Sequence, residues 1–407
     1  MYGYRGFFLS PACYLTVRTA AGKLPGTNLN SSSKNVSMKK IIQKTSSAFT
    51  CIPAIIVLLV LAGCQKSVEP TPAEEMTVSS KNPKTLKDFV QVNLVGNNDE
   101  YDPARIDPLL VNAWGIAFSS FGTIWVSAEA TGFSTVYNKD GNDALPAVTI
   151  PSPTSNTGGH PTGQVFNASR GFRLPNGNPA RFIFAGADGV ISGWNGGTAA
   201  VRVINDPGDP YLGIAIARNG ADSFLYVANF KDNEIEVFDT AWHEVVIEFE
   251  DDDLPAGYAP FNIQTIDNKL YVMYAKQGID GEEEIGAGLG FVDIFNPDGS
   301  LVKRFVSRGQ LNAPWGIVKA PASFWGDGGM SNIILIGNFG DGHINAYDEN
   351  GNFQGQLRSH GNPIVIEGLW GLSFAPVAAT AINPNWLYFA AGPDDEEEGL
   401  FGYITKE

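Results

Sequence analysis

Cysteine is scarce in this sequence: three occur in 407 residues, Cys13, Cys51 and Cys64. None stands in a Cys-x-x-Cys pair, which excludes a disulfide-stapled scaffold and a thiolate metal or redox centre. Histidine is nearly as rare. His160, His243, His343 and His360 are scattered without ligand spacing, and each reads first as a surface or turn residue. No HExxH, GxSxG or Walker sequence occurs, so zincin, α/β-hydrolase and P-loop chemistry have no carrier. Helical periodicity is missing beyond residue 85, and no apolar run is long enough to span a bilayer. Basic residues are outnumbered, 27 Lys and Arg against 43 Asp and Glu, for a net charge of −16. Such a surface repels nucleic acid and anionic lipid head groups, so no nucleic-acid partner is expected.

What is plentiful is glycine and proline, 46 and 25 residues, together with a phrase written twice. Leu225 to Asp239 reads LYVANFKDNEIEVFD, and Ile334 to Gly351 reads ILIGNFGDGHINAYDENG. At one constant offset Asn229 falls on Asn338, Phe230 on Phe339, Asp232 on Asp341, Ile235 on Ile344 and Asp239 on Asp348. Each phrase is a β-rich run, a polar turn and a second run with apolar residues at alternate positions, the pattern of a hairpin half-buried on one face.

Further copies are marked by their openings, an aromatic or apolar residue, a glycine and an aliphatic: Trp114-Gly115-Ile116, Leu212-Gly213-Ile214, Trp315-Gly316-Ile317 and Trp370-Gly371-Leu372. Gly163-Gln164-Val165-Phe166 and Phe261-Asn262-Ile263 are degenerate copies in the gaps. The six starts lie about 50 residues apart, a period that signals an array. Each unit continues with a second strand, such as Ile124-Trp125-Val126 or Leu387-Tyr388-Phe389, then a third. Turn chemistry follows the third strand at Asn138 to Gly141, Asn195 to Gly197, Asn296 to Gly299 and Asp348 to Gly351, so a fourth strand should return from it. Four antiparallel strands per unit make a blade, and six blades make an all-β, six-bladed β-propeller. The last unit ends after three strands at Phe401 to Ile404, while Phe89 to Leu94 stands before the first unit with no blade of its own. That N-terminal strand is expected to complete blade six and close the ring, leaving no open edge.

The domain reading is 1–37 as an over-extended start, 38–63 as a signal peptide, 64–85 as a flexible tether and 86–407 as the propeller. From Met38 the chain shows a basic segment (Lys39, Lys40, Lys44), the apolar run Ile52 to Ala62 and then Leu61-Ala62-Gly63-Cys64. Leu-Ala-Gly-Cys resembles the bacterial lipobox. That resemblance implies lipidation of Cys64, a membrane partner through the lipid and an extracytoplasmic address in a bacterial cell envelope. Gln65 in place of aspartate implies, by the same likeness, an outer-membrane lipoprotein. Residues 65–85 are rich in Pro, Ser, Thr and Glu, as a tether is.

Two candidate sites follow from the ring. Trp114, Phe261, Trp315 and Trp370 enter the innermost strands, where aromatic faces around a channel mouth can stack on a sugar or another flat ligand; the same rings also suit packing between blades. Asn112, Asn229, Asn262, Asn338 and Glu367 can converge on the channel and bind a hard divalent cation such as calcium through oxygen. For Asn229 and Asn338, with Asp232 and Asp341, turn capping is the plainer reading. The acidic runs Glu250 to Asp253, Glu282 to Glu284 and Asp394 to Glu398 read as solvated loops.

Pro314-Trp315-Gly316-Ile317-Val318, Ile336-Gly337-Asn338 and Ile344 to Asp348 resemble the NHL-repeat pattern, and the likeness extends over 110–404. The chain also resembles secreted bacterial propeller proteins. It departs from the pattern at Asn229 and Asn338, where aspartate is usual, and at Glu234 and His343, where arginine is usual. The NHL likeness implies a binding platform. A more distant likeness to gluconolactonase-like propellers implies a metal-dependent hydrolase that uses channel carboxylates and asparagine. The reading is therefore a monomeric, lipid-anchored binding propeller for a glycan, peptide or protein, with a metal-dependent lactonase as its alternative.

Overall fold

A computed structural model of the chain describes residues 86–326 and 329–407. Cys64 and the segments 1–37, 38–63 and 64–85 lie outside the described residues. The polypeptide is almost wholly β, with a single 3-10 turn at Ala322–Trp325 among the described residues. No helix there is long and apolar enough to cross a membrane.

Six sheets follow one another along the chain. Blade one comprises Ala113–Phe118, Ile124–Ala128, Phe133–Tyr137 and Asp143–Thr149; blade two comprises Pro161–Phe166, Phe182–Gly186, Val190–Trp194 and Val201–Asn205. Blade four is built on Tyr258–Ile266, Lys269–Gln277, Phe291–Phe295 and Leu301–Ser307, and blade five on Pro314–Ala320, Ile333–Asn338, Ile344–Tyr347 and Phe353–Gln356. Blade six has Leu369–Phe374, Leu387–Ala391 and Leu400–Lys406, completed by Phe89–Gly96. The pairing of Phe89 with Lys406 and of Gly96 with Leu400 closes the ring as the sequence predicts. Each first strand lies against the first strand of the next blade, and that of blade six against that of blade one.

Blade three corrects the expectation of four regular strands. Tyr211–Asn219, Asp222–Asn229 and Glu234–Phe238 pair normally, but the fourth position is filled by irregular chain. One bridge joins Phe238 to Glu244, and Val245, Ile247 and Phe249 pack their side chains where a strand would otherwise sit.

The repeated glycine has a steric cause. A Cβ on Gly115 would lie 2.7 Å from the Thr162 carbonyl oxygen, and one on Gly316 would lie 2.6 Å from that of Trp370. At these glycines the neighbouring first strand approaches so closely that a Cβ would clash with it. Blade four carries Asn262 at this position. Its side-chain nitrogen donates to the Trp315 carbonyl oxygen at 2.7 Å and so makes across the seam the contact that glycine leaves to van der Waals packing.

The core is divided accordingly. Six apolar clusters fill the seams between successive blades, for example Trp125, Val136, Phe182 and Phe184 between blades one and two. A seventh lies where the first strands converge and contains Trp114, Phe261, Trp315 and Trp370.

Candidate functional site

The four aromatic residues expected at a ligand face do come together, but on one another. Trp114 stacks on Trp370 with centroids 3.5 Å apart, and Trp315 meets both edge-on at 5.8 Å. Phe339 stacks on the other side of Trp370 at 3.9 Å, and Phe261 packs at 5.6 Å. Trp370 is only 1% exposed, and the other three rings are also buried. Close approach of the glycine-bearing strands draws these side chains to the axis, so the expected solvent-facing rim is an aromatic plug. Its rings spend their faces on packing.

Of the five oxygen donors expected around a cation, Asn112, Asn229 and Asn262 have their side-chain oxygens engaged in other ways. Asn112 accepts from the Trp370 indole N–H at 3.2 Å and donates to Glu129 at 3.0 Å and Glu396 at 2.6 Å, tying the plug to the loops above it. Asn262 bridges the blade four–five seam and accepts from its neighbour, the Ile263 N–H, at 2.8 Å. Asn229 caps its turn by accepting from the Asp232 N–H at 3.1 Å and donates to Glu236 at 2.9 Å. Asn338 donates to the Gln310 carbonyl at 2.7 Å and to Asp341 at 3.0 Å, with its own oxygen buried and unpartnered. Glu367 is exposed. Among the described residues, no three His, Cys, Asp or Glu side chains form a set that could hold a metal ion.

The loops that lead into the first strands form one face, here the upper face, and it is acidic. Glu129, Asp188, Asp232, Glu283, Asp341 and Glu396 all stand on these loops or on the second-to-third-strand turns beside them. His160 places Nδ1 2.7 Å from a Glu129 oxygen, and this hydrogen bond raises its pKa against the opposing effect of burial. Burial, with the negative charge of Glu129 and Glu282 behind it, raises the Glu396 pKa. Burial pushes Glu283 up to about 7, with Glu396 adding to the rise, so the insertions of blades four and six bring their charges together above the plug.

One acidic run was misread from sequence. Asp251 is buried and paired with Arg304, which also pairs with the fully buried Asp293 and stacks on Phe291 at 4.7 Å. Burial pushes Asp293 up to about 7, opposed by the guanidinium. The triad pins the irregular segment of blade three to blade four.

The opposite, lower face holds a pocket that no sequence motif announced. A cavity of about 330 Å³ opens at the seam of blades one and two, walled by Phe121, Trp125, Phe166, Phe182 and Trp194. Trp125 stacks on Phe182 at 4.0 Å and leans on Trp194 at 4.7 Å, while the Trp194 indole N–H donates to the Gly197 carbonyl at 2.9 Å. Phe121, at the tip of the first turn, is 83% exposed. Arg181, Asn195 and Ser120 supply the polar rim. An apolar wall with a few convergent polar groups is the general form of a small-ligand site. The only sequence signal was the density of aromatic residues at strand ends, which does not say which rings face outward.

No family model matches the chain. It is 34% identical over 336 residues to "Uncharacterized protein R648" of Acanthamoeba polyphaga mimivirus, covering 78% of this chain and 80% of that protein. To "Uncharacterized protein L690" of the same virus it is 33% identical over 337 residues, covering 78% and 86%. Among solved structures it resembles the GH93 alpha-L-arabinofuranosidase of Fusarium graminearum in complex with arabinobiose, at TM-score 0.50 and 12% identity over 78% of this chain and 97% of that one, a likeness of fold alone. With a third of its residues shared over most of both lengths, this chain belongs to the family of the mimivirus proteins R648 and L690.

Proposed function

We propose that this chain is a non-enzymatic binding propeller, anchored outside the cytoplasm by a lipid on Cys64, whose ligand is a glycan that seats a sugar ring in the lower pocket. The pocket carries the reading: a ring-sized cavity walled by aromatic faces, two of which, Trp194 and Phe166, are partly open to solvent. Aromatic faces match the apolar faces of sugar rings, and rigid side chains lose little entropy in doing so. The NHL likeness of Pro314 to Val318 points the same way, since such propellers serve as platforms. The partners are then a membrane, through the lipid, and the glycan.

The anchor rests on Leu61-Ala62-Gly63-Cys64 and its basic flank alone, because the curated relatives are encoded by a virus. Mass spectrometry of the mature N-terminal peptide tests it; an unmodified Cys64 or an uncleaved leader would remove it. Binding is tested by glycan-array screening of the full chain in detergent, followed by calorimetry on Trp194→Ala. Signals that survive loss of Trp194 would place the ligand elsewhere, and an array without signals would end the reading.

A hydrolase at the upper face is the second reading, favoured by the Glu129–His160 pair, which has the geometry of an oriented acid and base. Its metal-dependent form is tested by elemental analysis and by thermal melts with and without EDTA. A stoichiometric divalent ion whose removal lowers the melting temperature would carry it forward.

A further inference from the structure

We propose that the ring taken by the lower pocket carries a carboxylate, so that the ligand is an acidic sugar of the hexuronate class, gripped by Arg181. The inference rests on the reading of this cavity as a ring-binding site and adds the charge of its occupant. Among the residues that line the cavity none is acidic, and one, Arg181, is basic. In a chain with 43 acidic and 27 basic residues this local balance runs against the whole.

Most other cations are spoken for. Arg105 pairs with Asp143, Lys276 with Glu284, Lys319 with Asp267 and Arg304 with its two aspartates. Arg181 is held by its backbone, whose N–H donates to the Trp194 carbonyl at 2.6 Å, so its Cα is fixed beside the indole. Its guanidinium has no side-chain hydrogen bond or ion pair among the described residues, and the side chain is exposed. A planar fork of donors with no protein acceptor, set next to an apolar wall, suits a carboxylate attached to a ring that lies on that wall. Ser120 on the exposed rim suits a hydroxyl on the same ring, which favours a sugar over an aryl acid. The upper face repels the same ligand, so an anionic chain is directed to the lower one.

The test is calorimetric titration of the full chain in detergent with oligogalacturonate, its fully methyl-esterified form and benzoate, repeated on Arg181→Gln and Trp194→Ala. The acid is expected to bind at least about tenfold more tightly than the ester, as a charge-assisted bidentate contact provides. Arg181→Gln should erase that ratio while leaving ester binding in place, and Trp194→Ala should weaken both. Equal binding of acid and ester, or a ratio that survives Arg181→Gln, would overturn the carboxylate inference and leave the glycan reading standing. Benzoate binding in preference to the saccharide would overturn the sugar. No binding of either saccharide would overturn both inference and reading.

Discussion

At the upper face, the turns between second and third strands hold Glu129, Asp188, Asp232 and Glu396 above a plug of stacked indoles; at the lower face, the turns out of the first strands leave aromatic rings open beside an arginine. Both faces draw on the same repeat and comparable numbers of aromatic residues. They differ in what lies next to the ring in sequence. Trp315 and Trp370 precede glycines at which the neighbouring strand leaves no room for a Cβ, and their own side chains are buried at the axis. Trp194 ends a third strand, away from that close approach, and stays partly open to solvent. Aromatic character is therefore no guide to binding in this ring; position relative to the close approach is.

The largest effect expected from breaking this contrast is on stability. Trp370→Ala empties the centre of the plug and should lower unfolding stability by about 3–5 kcal/mol, read as a shift in denaturant midpoint. If Trp370→Ala leaves the midpoint unchanged, the plug is not structural. Trp194→Ala should do the reverse, costing less stability than Trp370→Ala while removing most glycan affinity, because its ring is only partly buried.

The acidity of the upper face sharpens the comparison through pH. Glu283 has its folded pKa raised to about 7 from an ordinary 4.5, so it stays protonated in the folded chain while the unfolded chain ionises. Its destabilising contribution is absent below pH 4.5, grows as pH rises toward 7 and is complete above that. Glu283→Gln should therefore raise the melting temperature at pH 8 and leave it unchanged at pH 4; a uniform shift across pH would contradict the assignment. His160 works in the opposite sense and more weakly, being half exposed. Its pKa lies above 6.5 in the fold, so its bond to Glu129 stabilises fully below pH 6.5 and fades as pH rises through the folded value. His160→Gln should lower the melting temperature slightly at pH 5.5, with the difference vanishing at alkaline pH.

Much of the ring was legible because repeats are local patterns recurring at a fixed period. All six openings, from Trp114 to Trp370, fall in first strands, and the unmatched Phe89 to Leu94 supplies the strand that blade six lacks. Blade three escaped because nothing in Glu244 to Phe249 marks it as unpaired; its apolar alternation serves packing without a ladder. The site was less legible. Asp251 and Arg304 are 53 residues apart, and no local pattern reports that a loop carboxylate will be buried against the last strand of the next blade. The pocket draws on 119–125, 166, 181–182 and 194–195, short pieces of two blades that only the closed ring brings together. Asn262 shows the same limit at one position: its amide replaces a glycine and bonds Trp315, a role visible only once the neighbouring strand is in place.

The pairing of Phe89–Gly96 with Leu400–Lys406 also sets a clock. The strand Phe89–Gly96 leaves the ribosome well before its partner Leu400–Lys406, with the whole of five blades between them. At about 5–20 residues per second that partner is roughly 15 to 60 s away. Until then the outer edge of blade six is unmade, and the contact that finishes it spans nearly all of the described ring, the kind that folds late. Closure thus waits for Leu400–Lys406, and a nascent chain held at Leu387–Ala391 should carry blades one to five without a locked ring.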